Sequence, residues 1–395
     1  TTTMLLCGSL LQEASTLLRK GLHPLTLVDG YRASLKAAIS QMDEDAQEAS
    51  EDRVVAVAET ALRGKGAEVA LDLFSSLVVE ALTAVSSSGS EPRADKVSMF
   101  KSGKGSLRAS RLIRGVAFRR RVPLDGLPNN LEDAPVAIMG GELKIRSMTR
   151  DAQIQISSAD QLDEFIGAEK SRKDAISDAL IATGARVVLC GGEGDKEILH
   201  RLADEDILII AELDESEIRN ASEATGAEVN DSVLDISPED LGICGLIAWE
   251  RNEATDMVED IIRIDGCHTP GVVTIEVGGD GKEATEEVIR GIHDSLRATS
   301  LALEENQVLP GGGCAHSRMA DAVRREAEAE PGRARLAMEA FARALEVIPA
   351  TLVENAGGNP LDHVLELRAA SRDGGDLVGI AADGSVGGVD DAWHP

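Results

Sequence analysis

Leu5, Leu6, Leu10, Leu11, Leu17 and Leu18 recur at helical spacing, and Gly21-Leu22-His23-Pro24 stops the run. A first helix is therefore predicted at the start of the chain and a second from about Leu27 to Met42, followed by an acidic turn from Asp43 to Asp52. Helical periodicity returns from Val54 to Leu62 and from Glu68 to Val85. The most apolar stretch, Leu71 to Val85, carries Asp72 and Glu80, which predicts an amphipathic helix rather than a membrane span. Ser86 to Pro92 reads as a surface loop.

The texture changes after residue 95. Short β-type runs (Val116 to Phe118, Val136 to Met139, Leu143 to Met148) are separated by glycine and proline. Ser158 to Gln161 fits a capping box, opening a charged helical stretch that ends at Gly184. Strands at Arg186 to Cys190, Asp206 to Ile210 and Val272 to Val277 then alternate with helices near 195–204 and 214–224, the pattern of a mixed α/β domain. The rest is helical: Glu283 to Glu305, Ser317 to Glu328, Arg333 to Glu346 and Pro349 to Arg372. The architecture is nested, with helical segments at both ends enclosing β-containing segments and an α/β insert, as in a hinged multi-domain chain.

Composition narrows the function. The 395 residues are 43% hydrophobic, enough to build real cores, but include only five Phe, two Trp and one Tyr, too few for base-stacking platforms. A net charge of −29 repels phosphate backbones and anionic lipid, so neither nucleic acid nor membrane is expected as a partner. The surplus of carboxylate, with 11 Lys beside 29 Arg, suits a protein kept soluble in concentrated salt. Five scattered cysteines without a CxxC pair read as reduced, mostly buried thiols of a cytoplasmic protein.

The candidate chemistry is dispersed. Gly64-Lys65-Gly66 and Gly103-Lys104-Gly105 lack the spacing of a phosphate-binding P-loop, and each alone reads as an ordinary loop. Pro310-Gly311-Gly312-Gly313 allows close backbone approach to a ligand, or serves as a connector. Thr1, Thr2 and Thr3 open a helix, where hydroxyls and free N–H groups form a phosphate site or simply cap it. Asp294 lies about 200° around its helix from the buried stripe of Val288, Ile289, Ile292 and Leu296; it is a solvated acid, or a carboxylate poised to orient water. Arg108, Arg111, Arg114, Arg119, Arg120 and Arg121 are read chiefly as ion-pair partners for the chain's own carboxylates. The histidines suggest no metal set.

Taken together, these pieces resemble one family, the group II chaperonins of archaea and the eukaryotic cytosol (the thermosome type). Thr1-Thr2-Thr3 resembles the end of its GDGTTT nucleotide motif, Gly21 to Pro24 with Gly30-Tyr31 its GIHP…GY segment, and Thr60 to Glu68 its TSxTGKxAE segment. Leu112 to Gly115, Leu127-Pro128, Ala182 to Cys190, Leu234 to Gly242, Asp265 to Cys267, Pro310 to Gly313, Ile348-Pro349 and Leu352 to Gly357 continue the likeness in order. It implies a multi-domain α+β fold with a mostly helical equatorial domain, an α/β intermediate hinge, and an α/β apical domain bearing a helical protrusion. The corresponding segments are 1–52 (equatorial), 53–125 (intermediate), 126–276 (apical, with the protrusion at about 157–181), 277–311 (intermediate) and 312–395 (equatorial).

The resemblance further implies a subunit of a double ring of homologous subunits that uses ATP, with Mg²⁺ and K⁺, to enclose unfolded client protein in the cytoplasm. By position, Thr1, Thr2, Thr3, Gly64, Lys65, Gly311, Gly312, Gly313, Gly379 and His394 are expected to bind ATP, and Asp294 to act in hydrolysis. Leu162, Phe165 and Ile166 are expected to meet client or neighbouring lid segments, ordinary helix packing being the alternative. Some features depart from the family pattern. The sequence starts inside the nucleotide motif, so the Mg²⁺-binding acid expected before Thr1 is not among these residues. Ala381-Ala382 replaces a more polar or bulkier pair, and His394 stands where the family has an acid. The expectation is a piece of a longer subunit rather than a naturally short relative. The alternative function is a nucleotide-independent holdase or a structural ring subunit.

Overall fold

The computed structural model describes residues 2–87, 89, 91–124, 126–145, 159–252, 259–268, 270–279, 281–372, 377–389 and 391–395. Two compact units emerge: Thr1–Ser75 with Asp294–Pro395, and Ser76–His293. The segments expected to form an intermediate domain, 53–125 and 277–311, are divided between them.

The first unit is mainly helical. Thr2–Arg19, Pro24–Asp45, Cys314–Ala329 and Ala334–Leu345 pack through small and medium side chains. One cluster joins Ala38, Ala320, Val323, Ala327, Met338, Phe341, Ala342 and Leu345; another joins Leu17, Leu22, Leu27, Ala337 and Ala340. Alanine-rich surfaces permit close crossings: a Cβ on Gly30 would lie 2.6 Å from that of Ala337. Tyr31 sits edge-on to Phe341 with ring centres 5.4 Å apart and donates its hydroxyl to the Leu10 carbonyl. A three-stranded sheet orders Gln47–Glu48, Gln307–Pro310 and Trp393–His394, and the hairpin Val378–Ile380/Val386–Gly388 completes the unit.

Three readings of this unit need correction. The acidic stretch after Met42 is not one turn. Helix continues to Asp45, which is buried because Arg318 grips both its oxygens at 2.6 and 2.8 Å, and Gln47–Glu48 is a strand. The helix expected from Glu68 begins as a 3-10 turn over Gly66–Ala70. The single helix expected over Pro349 to Arg372 is two, Val347–Asn355 and Pro360–Arg372, interrupted by left-handed Gly357 and restarted by Pro360.

The second unit is built on a seven-stranded mixed sheet. Its order is Val116–Arg120, Glu259–Asp265, Gly242–Asn252, Asn130–Met139, Val187–Cys190 and Leu208–Ile210, with Val229–Asn230 also pairing Asn130–Met139. Pairing is antiparallel as far as Asn130–Met139 and parallel beyond it. Val187, Val188, Leu189, Leu208, Ile209 and Ile210 are buried, as expected of strands covered on both faces. The helix Lys196–Asp204 is capped by Asp195, and Glu215–Thr225 by a capping box of Asp214 and Glu217 ending at left-handed Gly226. A second sheet of three strands orders Val97–Lys101, Val273–Val277 and Arg111–Ile113.

The strands Gly242–Asn252 and Glu259–Asp265 escape a reading by periodicity because they carry charge into the sheet. Asp260 is fully buried and accepts from the Val122 amide and from Arg251. Glu276 is nearly as buried and takes Arg263 and Arg111, which hold its carboxyl below its ordinary range against the opposing push of burial. Much of the arginine cluster is accounted for this way: Arg111 pairs with Glu276, Arg114 with Glu80, and Arg120 with Glu217 and Asp214. Leu143 makes only an isolated bridge to Gly194, Lys144 and Ile145 of that expected strand are not in a strand, and 146–148 and the capping Ser158 lie outside the described residues. The charged stretch beyond is one helix, Ala159–Thr183.

Gly66–Ser87 is long and apolar enough to cross a membrane by length and composition, with a mean hydropathy of 1.7. Its Phe74, Val78, Ala81, Leu82 and Val85 are nevertheless fully buried within the protein, as in a core helix.

Candidate functional site

The first unit contains a cavity of about 970 Å³ whose wall is drawn from widely separated segments. Thr2 enters it from the first helix, Thr60 and Arg63 from the end of Glu51–Leu62 and beyond, and Gly311, Gly312, Gly313 and His316 from the glycine bend and the helix after it. Ile380 to Asp383, Asp391 and His394 also line it.

The bend requires glycine for reasons visible atom by atom. The Gly311 amide donates to the Ala392 carbonyl at 2.7 Å, and a Cβ there would stand 2.8 Å from that oxygen. Gly312 has φ +59°, its carbonyl accepts from the Ile380 amide, and its Cβ would meet the Ile380 oxygen at 2.7 Å. Gly313, at φ +74°, caps the helix Cys314–Ala329 and lies against Pro349, 2.8 Å from where its Cβ would be. Gly379 supports the bend from behind: its Cβ would lie 2.9 Å from the Gly312 oxygen, and the residue does not line the cavity. The wall is thus backbone rather than side chain along one face, and a helix N-terminus at Thr2 brings a positive dipole end to it.

A second group stands outside that wall. Gly64 turns with φ +73° and donates its amide to Glu68 Oε2 at 3.0 Å, leaving Lys65 extended at the start of the 3-10 turn. Lys65 Nζ meets Asp294 Oδ2 at 2.6 Å. Asp294 is more than half exposed, and its helix is fastened one residue further on, where the buried Ser295 hydroxyl donates to the Ala58 carbonyl. Gly64, Lys65 and Asp294 do not line the cavity, although Thr60 and Arg63 of the same segment do.

The structure therefore brings Thr2, Gly311, Gly312, Gly313 and His394 to one cavity and Lys65 to Asp294. Thr3 lies in the first helical turn beyond the wall, and Thr1 is outside the described residues. His316, which belongs to no motif in the sequence, also faces the cavity; its place in the first turn after the glycine bend is the signal that could find it. Burial and the neighbouring His394 ring push its pKa down to about 4, and burial lowers that of His394 as well. Among the described residues no three His, Cys, Asp or Glu side chains converge as a metal site. These residues therefore do not form a magnesium cage by themselves. In the second unit, Phe165 and Ile166 are exposed at 44% and 53% on Ala159–Thr183, whereas the Leu162 side chain lies outside the described residues.

Comparison with known proteins gives this arrangement its context. The family model described as the TCP-1/cpn60 chaperonin family matches residues 1–393. The thermosome subunit beta of Archaeoglobus fulgidus is 34% identical over 389 residues, covering 97% of this chain and 71% of that protein. The thermosome subunit alpha of Halobacterium salinarum is 36% identical over 381 residues, covering 95% of this chain and 66% of that one. The open-state monomer of a group II chaperonin from Methanococcoides burtonii superimposes with a TM-score of 0.66 over all of this chain and 94% of its own, at 24% identity, and so supports the multi-domain α+β fold. With a family match across almost its whole length and relatives at this level of identity, the chain belongs to the TCP-1/cpn60 chaperonin family.

Proposed function

We propose that this chain acts as a subunit of an ATP-driven protein-folding chamber and holds its nucleotide in the glycine-walled cavity. The observation that carries the reading is the convergence of Thr2, Gly311 to Gly313 and His394, from distant parts of the chain, on one space. Phosphate oxygens suit the N-terminus of the first helix, where amides lack intrahelical partners. Bare backbone at the glycine bend allows flat or bulky ligand groups to approach closely. Lys65 supplies a mobile positive charge for the terminal phosphate. When Lys65 turns to that phosphate, the Asp294 carboxylate is released from its 2.6 Å contact and is left to accept the proton of an attacking water. Mg²⁺, with K⁺, would supply neutralisation of phosphate charge when bound with the nucleotide. The segments 53–125 and 277–311 act as the hinge, and 126–276 as the client-gripping domain. Phe165 and Ile166, apolar and exposed, meet unfolded chains or neighbouring lids.

The test is ATP turnover by the purified chain in concentrated salt with Mg²⁺ and K⁺, set beside Asp294→Ala. Turnover is expected to fall about 10²–10⁴-fold in the variant while nucleotide still binds. Equal turnover in both proteins would remove Asp294 from the chemistry, and absence of nucleotide binding would remove the cavity from the reading.

A further inference from the structure

Two hydroxyls one turn apart on the helix Lys282–Glu305 have different surroundings. From Asp294 onward this helix belongs to the helical unit, and Ser295, Thr299 and Ala302 share one face of it, all fully buried. Ala302 packs in one cluster with Val57 of the helix Glu51–Leu62. The Ser295 hydroxyl donates to the Ala58 carbonyl at 3.0 Å, whereas the Thr299 hydroxyl finds no partner among the described residues. Of these two hydroxyls, Ser295 is the one with a directional bond. Its anchor, Ala58, is in the last turn of the helix that leads through Arg63 and Gly64 to Lys65. Gly64 turns left-handed and gives its amide to Glu68, which fixes where Lys65 starts. Acid and lysine are therefore referred to one segment of chain, Lys65 by the turn at its end and Asp294 by the bond next to it.

We propose that Ser295 is a positioning residue for Asp294: its hydroxyl fixes the rotation of the helix that carries the acid, so the carboxylate stays aimed after Lys65 has turned away. This rests on the reading of Asp294 as the group that accepts a proton from water. Residues 294 and 295 project about 100° apart around a helix. With Ser295 turned to Ala58, Asp294 meets Lys65 Nζ at 2.6 Å. The ion pair does not hold that aim by itself. Asp294 is more than half exposed, such a pair opens at little cost, and it is lost when the lysine turns to phosphate. The Ser295 bond is buried and survives that exchange. A rotation of the helix by about 20° carries a carboxylate about 6 Å from the axis through about 2 Å, and a misplacement of about 1 Å costs up to about 10²-fold in rate.

The experiment measures ATP turnover, and nucleotide affinity by calorimetry, for the native full chain, Ser295→Ala, Thr299→Val, Asp294→Ala and the double variant Ser295→Ala/Asp294→Ala. Ala58 sits inside a helix and its carbonyl keeps a backbone donor, so Ser295→Ala leaves no buried polar group unpaired and folds. Ser295→Ala is expected to lower kcat by about tenfold or more and to leave nucleotide affinity within about twofold. Thr299→Val removes a hydroxyl that bonds nothing on the same face and should keep the native kcat. In the Asp294→Ala background, Ser295→Ala should lower turnover no further, because nothing is left to position. Native kcat in Ser295→Ala, an equal loss in Thr299→Val, or a further loss of about tenfold on top of Asp294→Ala overturns the positioning role and leaves Asp294 in place. Native turnover in Asp294→Ala, or no turnover by the native chain, overturns the positioning role together with the reading it rests on.

Discussion

Two carboxylates of the helical unit make the same kind of bond and have opposite roles. Glu346 is 6% exposed and is held by Arg368 through both oxygens and by Arg324 at 2.6 Å; Asp294 is 57% exposed and meets one lysine at 2.6 Å. The hydrogen bond to Glu346 is also the main reason the Arg368 pKa is raised. Burial separates the two cases. A buried charge without its partner is costly, so Glu346 is bound to the fold, whereas an exposed pair opens at little cost and leaves Asp294 able to change partners.

The sharpest way to break this comparison is Glu346→Ala. It should lower unfolding free energy by about 3–5 kcal/mol, because the Arg368 guanidinium loses its hydrogen-bond acceptor and Arg324 keeps only its pairing with Asp321, and denaturant titration reads the loss. A loss below about 1 kcal/mol would place Glu346 with Asp294 among the expendable pairs. Next comes Gly312→Ala, which adds a left-handed backbone penalty to a contact with the Ile380 oxygen. About 3 kcal/mol is expected in the same assay, together with weakened nucleotide binding.

Acid offers a third, smaller effect. His316 has a folded pKa of about 4 against an ordinary 6.5, so the unfolded chain takes up its proton first. The stabilising contribution is complete above about pH 6.5 and is lost as pH falls towards 4, amounting to about 2 kcal/mol between pH 7 and 5. His316→Asn should flatten that part of the pH profile relative to the native chain, and an unchanged profile would count against the neutral ring. The smallest effect belongs to Asp294→Ala, which should change unfolding free energy by less than about 1 kcal/mol. Thermal and denaturant unfolding check this, and a large loss would erase the contrast with Glu346.

Much of the fold was legible because its cause is local. Gly21 to Pro24 ends the first helix, and the apolar runs around Val187 and Leu208 read as strands, which the structure buries. Asp45, expected in a turn and found in a helix, and Asp260, which periodicity does not place in a strand, take their stability from Arg318 and Arg251, partners that periodicity does not pair with them. Motifs and the family resemblance grouped Thr2, the glycine bend, Lys65, Asp294 and His394 as one expected site; the structure sets Lys65 and Asp294 off the cavity wall.

The amino-acid sequence by itself determined the helical and mixed α/β regions and the family. Those features follow from backbone sterics and from periodicity over neighbouring residues. Tertiary structure alone decided that His316 joins His394, that Gly379 supports the bend without lining the cavity, and that Lys65 holds Asp294 outside it. The physical reason is range: these relations depend on contacts between segments far apart in the chain, and a side chain's type does not specify which distant backbone will lie against it.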